Sequence, residues 1–193
     1  MATVVLQPSS EISSGSFNNN AGSGFDVTKI NDSSNSTYVY NSTANQTFKV
    51  HLNDTSGLSG ATFNNFVVTA VFQKHGARGA DGSFSVSIGD ASSETTFGSI
   101  SDATFVTTNA TPTTISSSAI AFGGSVGSSD VDDMRLIVLT TDNTQVRFFQ
   151  LYVTVDYTAA ATGYGNAVNG VAAASIGKIN GVAPANISKV NGI

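Results

Sequence analysis

Apolar residues in this chain fall at alternate positions within short runs, and clusters of Gly, Asn, Asp and Ser separate the runs. The clearest runs are 46–52, 63–73, 83–88, 103–107, 134–139 and 146–157, with weaker ones at 24–30, 37–40 and 114–122. In the last long run Phe149, Leu151, Val153, Val155 and Tyr157 share one side, and Phe148, Gln150, Tyr152, Thr154 and Asp156 share the other. That period of two predicts a strand with one dry face. In 134–139 the two alternating sets are both apolar apart from Arg135, which predicts a strand buried on both faces. Turn-forming residues occupy 53–57, 75–82, 123–124 and 142–143. No window of ten residues carries the i, i+3, i+4, i+7 stripe of an amphipathic helix. About eight to ten short strands with regular turns predict an all-β fold, a jelly-roll or Greek-key β-sandwich.

The same pattern divides the chain. Residues 1–158 read as the sandwich domain, opening with a polar, Gly-rich N-terminal arm over 1–24. After Tyr157 the composition turns to Thr, Ala and Gly, a linker over 159–167. Residues 168–193 then hold an 11-residue unit written twice, followed by the opening of a third.

Composition narrows the function classes. Charged residues make up 11% of the 193 residues, against roughly 25% in typical soluble domains. Twelve Phe and five Tyr supply a real core, which disordered chains lack. The net charge is −5, and the eight Lys and Arg are spread singly, so a nucleic-acid partner is not expected. There is no cysteine, hence no disulfide framework and no thiolate metal site. The first residues show no basic stretch leading into a long apolar run, so no secretory leader is expected. No apolar stretch approaches the ~20 residues that span a bilayer, so no membrane partner is expected either.

The repeat raises a different possibility. Its apolar positions include Val168, Val171, Ile176, Ile179, Val182, Ile187, Val190 and Ile193, with Lys178 and Lys189 at equivalent places. Three Asn-Gly pairs and Pro184 oppose a helix, and Asn-Gly favours a tight hairpin turn. A short hairpin is marginal alone in water, so these ten residues are expected to make assembly contacts.

The phrase Ile-x-Lys-Val/Ile-Asn-Gly-Val/Ile, following an Ala-rich spacer and running to residue 193, looks like the C-terminal tails of structural proteins in tailed bacteriophages. The preceding domain, ending in LYVTVDYT, is similar in style to β-sandwich modules of phage fibres, collars and capsid decorations. The resemblance implies a non-enzymatic virion protein, either a head decoration or fibre or a tail or collar component. It would be made in the host cytoplasm and assemble as a symmetric homo-oligomer, a trimer among the options, with other virion proteins as partners.

The chemistry-bearing residues are sparse. His51 lies in a strand pattern and His75 opens a Gly-rich loop. Glu11 and Glu94 sit in Ser-rich stretches and read as solvated rather than as a catalytic pair. The Gly-rich 76–82 lacks the Lys-Ser/Thr of a phosphate loop. No catalytic residue and no cofactor is expected. Asp130, Asp132 and Asp133 form a weak candidate calcium site, with a solvated acidic turn as the plainer reading. The alternative function is a carbohydrate-binding adhesion module with a cell-surface glycan as partner, for which Tyr38, Tyr40, Tyr152 and Tyr164 are the candidate aromatics.

Overall fold

The computed structural model describes residues 1–41, 43, 45–55, 57–74, 81–141 and 146–160. In chain order the elements are β1 (Ala2–Leu6), β2 (Pro8–Ser13), β3 (Phe17–Asn19), a 3-10 turn (Val27–Ile30), β4 (Val39–Asn41) and β5 (Thr47–Leu52). Then come β6 (Thr62–Lys74), β7 (Gly82–Gly89), β8 (Gly98–Thr107), β9 (Thr113–Ser116) and β10 (Ile120–Val126). A one-turn helix α1 (Ser128–Asp132) precedes β11 (Arg135–Thr140) and β12 (Val146–Thr158).

These strands form two antiparallel sheets, a β-sandwich. One is ordered β10-β6-β12-β4-β3, with β1 on β12 and β9 on β6; the other is β2-β5-β11-β7-β8. Sequence neighbours such as β1 and β2, β5 and β6, or β11 and β12 lie in opposite sheets, so the chain stitches the two layers together. The core lies between them. Phe48, Val50 and Leu52 of β5, Phe84, Val86 and Ile88 of β7, and Leu136 and Val138 of β11 face Phe66, Val68, Ala70 and Phe72 of β6 and Leu151, Val153 and Val155 of β12. Phenylalanines fill one end. Phe148 meets Phe84 at 4.7 Å and Phe48 at 5.4 Å, while Phe84 meets Phe72 at 4.8 Å. All three contacts are edge-on, the geometry the ring quadrupole favours.

Several expectations change. The N-terminal segment is no arm: β1 pairs with β12, β2 with β5 and β3 with β4. β2 is an edge strand held through backbone hydrogen bonds. Only Pro8 of its six residues is buried, so no apolar rhythm marked it, and a Pro at the first residue suits an edge. Residues 24–30 hold the 3-10 turn instead of a strand. Asp26 caps it by accepting from the Thr28 backbone N–H at 3.0 Å, and the turn buries Ile30. The run 114–122 splits into β9 and β10. β11 is sealed on one face only, since Ile137 is 7% exposed but Leu139 is 38% exposed.

A further correction concerns β12. The register against β6 shifts between Phe148 and Gln150, a bulge that adds one residue on the β12 side. Phe148 therefore turns into the core beside Leu151, and Phe149 leaves it. The alternation in the sequence assigned these two phenylalanines the other way round. The compact unit closes at Thr158. The repeat and the ten residues expected to make assembly contacts, Val168 to Ile193, lie outside the described residues, as do His75, residues 76–80 and Tyr164.

Candidate functional site

The most distinctive surface lies on the outer face of the first sheet, where β3, β4 and β12 run side by side. The ladder pairs Asn18 with Tyr40, Tyr40 with Arg147, and Arg147 with Gln73 of β6. Adjacent strands are about 4.8 Å apart, so an amide, a phenol and a guanidinium stand in one row. Tyr38, two residues before Tyr40, adds a second ring on the same side, 6.1 Å from the first.

Each member of the row is held from below or beside. The bulge in β12 brings Phe149 out of the core and against Tyr38, edge-on at 5.4 Å. The Arg147 guanidinium lies over the Tyr38 ring, 4.7 Å from its centre. Oriented to satisfy both its ends, the Gln73 amide accepts from Arg147 Nη1 at 3.2 Å and donates to the Ala110 carbonyl at 3.2 Å.

Asparagine amides build the rim. Asn19 Nδ2 donates to the Gly24 carbonyl at 2.9 Å, and its Oδ1 accepts from the Ala21 N–H at 2.8 Å. Asn18 Oδ1 accepts from the Gly24 N–H at 3.2 Å. Gly24 meets both side chains with φ at +92°, a conformation natural to glycine. Asn20 ties this loop to β4, with its backbone N–H donating to the Tyr38 carbonyl at 3.1 Å. Behind Tyr38, Gln150 Nε2 donates to Asn35 Oδ1 at 3.1 Å, and Asp32 accepts from the Ser34 N–H and the Thr37 hydroxyl.

Together Asn18, Asn19, Asn20, Tyr38, Tyr40 and Arg147 line a shallow depression of about 570 Å³, completed by the small residues Ala21 to Ser23. That is within the ~300–1,000 Å³ usual for small-ligand sites. The chemistry brought together is two half-buried aromatic rings, which suit C–H groups, with amides and a guanidinium, which suit hydroxyls. Of the tyrosines expected from the sequence, the structure brings Tyr38 and Tyr40 together and leaves Tyr152 farther along β12. Asn18 to Asn20 and Arg147 were not legible as site residues. The row exists only once the register across three strands is set.

The acidic cluster is put to other uses. Asp130 Oδ2 accepts from the Gly127 N–H at 2.9 Å and starts α1. Asp132 Oδ1 accepts from the backbone N–H and hydroxyl of Thr55. Asp133 accepts from the Ala91 N–H at 3.0 Å and pairs with Arg135 at 3.3 Å. Three neighbouring carboxylates on a helical turn point to three separate partners. Among the described residues no group of three or more His, Cys, Asp or Glu side chains is placed to hold a metal ion. His51 of β5 borders a second depression with Asp54, Asp132, Asp133 and serines 9, 10 and 129.

On the outer face of the other sheet the 90–94 loop folds back over β7, and Glu94 forms an ion pair with Lys49. Within this loop the Ser92 hydroxyl and the Ser93 backbone N–H, both donating to the Asp90 carboxylate, hold its pKa down to about 2 from the ordinary 3.8. These bonds shape a turn.

The fold and depression define a β-sandwich with an aromatic and amide-lined surface site on one sheet. No protein-family model matches the chain, and no curated protein matches it. Among solved structures it is similar to the C-terminal CBM6 of LamC, a marine laminarinase from Zobellia galactanivorans. The TM-score is 0.44 and the identity 11%, over 80% of this chain and all of that one.

Proposed function

We propose that residues 1–158 form a non-catalytic carbohydrate-binding module whose site is the Tyr38–Tyr40 depression. The observation that carries this reading is the row Asn18–Tyr40–Arg147 with Tyr38 beside it. Sugars present C–H faces and hydroxyl edges at once, and a ring pair flanked by amides and a guanidinium answers both. The site is open and shallow, which suits a chain-like or branched saccharide better than a small apolar ligand.

The wider setting we propose is a virion, with the module displayed on a phage particle as a decoration, fibre, collar or tail component, and with host-surface glycan as its target. That part rests on the likeness of residues 168–193 to phage structural-protein tails. Light scattering of the full chain against a version ending at Thr162 tests the assembly role. A discrete oligomer that becomes monomeric on truncation supports it, and two monomers count against it.

Glycan binding is tested on the full chain with an array of neutral and acidic oligosaccharides. Tyr38→Ala and Tyr40→Ala should each abolish retention while leaving the thermal midpoint within a few degrees. A wild-type protein that retains no saccharide, or tyrosine variants that bind as wild type does, would overturn the reading.

A further inference from the structure

Arg147 asks more of its ligand than hydroxyl groups. A guanidinium is always charged and carries five N–H donors. The other arginine described, Arg135 on the opposite sheet, is matched by Asp133. Among the described residues Arg147 has no such match. Among the described residues the ion pairs within 4 Å are Lys49–Glu94 and Arg135–Asp133, and the lining of the depression contains Asn, Ala, Gly, Ser, Tyr and Arg but no acid. Its neighbours orient the group without neutralising it: Gln73 is a neutral amide, and Tyr38 offers a ring face. In a chain with thirteen acids and only eight Lys and Arg, none of the described acids lines this depression. The molecule's overall field is negative, so any anion drawn to this spot must be held by local contacts rather than by net charge.

We propose that the depression takes a saccharide bearing an anionic group, a carboxylate or a sulfate ester, with Arg147 as the residue that recognises the charge. This rests on the carbohydrate-binding reading of the same site and narrows it. Planar guanidinium forks pair two-to-two with carboxylate oxygens and accept tetrahedral sulfates as well. The tyrosines would hold the ring and the arginine would choose among rings.

The test is calorimetric titration of the full chain with three oligosaccharides of matched length: a neutral one, a uronic-acid one and a sulfated one. The expected result is that one anionic ligand binds at least about tenfold more tightly than the neutral one, as charge-assisted hydrogen bonds allow. That preference should shrink between 0.05 and 0.5 M NaCl, roughly as the Debye length contracts. Arg147→Gln should remove the preference, weakening the anionic ligand far more than the neutral one. Arg147→Lys, which keeps the charge but loses the fork, separates the two anions, since a carboxylate loses more than a sulfate does. Equal binding of neutral and anionic ligands, both lost in Tyr38→Ala, would overturn this inference while the carbohydrate reading stands. An Arg147→Gln variant that weakens all three ligands alike would also overturn it, because the residue would then only position Tyr38. No binding by any ligand would overturn both.

Discussion

Phe148 and Phe149 are adjacent and chemically identical, and the structure gives them opposite tasks. Phe148 is fully buried against Phe17, Phe48 and Phe84. Its truncation leaves a cavity, so Phe148→Ala should cost about 3–5 kcal/mol in urea unfolding. Phe149→Ala removes the support under Tyr38 and should weaken glycan binding while costing clearly less stability than Phe148→Ala. Equal stability losses would show that the bulge does not separate their roles. Asp90 gives a second prediction at this scale. Its pKa is depressed from 3.8 to about 2 by hydrogen bonds donated by Ser92 and Ser93. The stability it adds is complete above the ordinary value and lost as the pH falls through about 2, so the window lies between those two values. A carboxyl carbon titration by NMR should place the Asp90 midpoint near 2, and Ser92→Ala should move it upward. An unchanged midpoint would refute the assignment of cause.

Among the elements, the 90–94 loop depends on the lack of a side chain at Gly89. A Cβ there would lie 2.1 Å from the Ser93 carbonyl oxygen and 2.5 Å from the Glu94 carbonyl carbon, both backbone atoms. Gly89→Ala should therefore push the loop off β7 and cost about 1–3 kcal/mol, as overpacking does. A loss under half that range in urea unfolding would mean the loop yields freely. Elements with one wet and one dry face were legible in the sequence: β5 alternates without a break and β7 nearly so. Those joined mainly by their backbones were not. β2 exposes five of its six residues and offers no periodic signal, since backbone pairing is indifferent to side-chain type. The bulge in β12 was hidden for a related reason: one inserted residue reverses every later inside–outside assignment, and two adjacent phenylalanines fit either phase. The row of Asn18, Tyr40 and Arg147 was the least legible feature. Tyr38 and Tyr40 could be named as candidates, but Asn18 and Arg147 lie more than a hundred residues apart and meet only through the ladders that β4 makes with β3 and β12.

For the molecule as a whole, the distribution of carboxylates sets an expectation about ions. Asp130, Asp132 and Asp133 are each occupied by a separate donor, so millimolar calcium or EDTA should leave the thermal midpoint of the full chain unchanged. A rise of several degrees with calcium would show that the cluster can rearrange around a cation. The longest ladder also has a mechanical side. β12 starts beside the depression, with Arg147 as its second residue, and ends at Thr158, where the compact unit closes. Its thirteen residues at about 3.3 Å each separate those points by about 40 Å. Tension applied between a ligand held at the depression and the chain beyond Thr158 would run along β12. The hydrogen bonds joining it to β6 lie across that pull, so they would bear it together as a shear load. Pulling Met1 away from Thr158 is different, because β1 meets β12 with Ala2 opposite Tyr157. That geometry peels one pair at a time, so the same sheet resists force along one line and yields along the other.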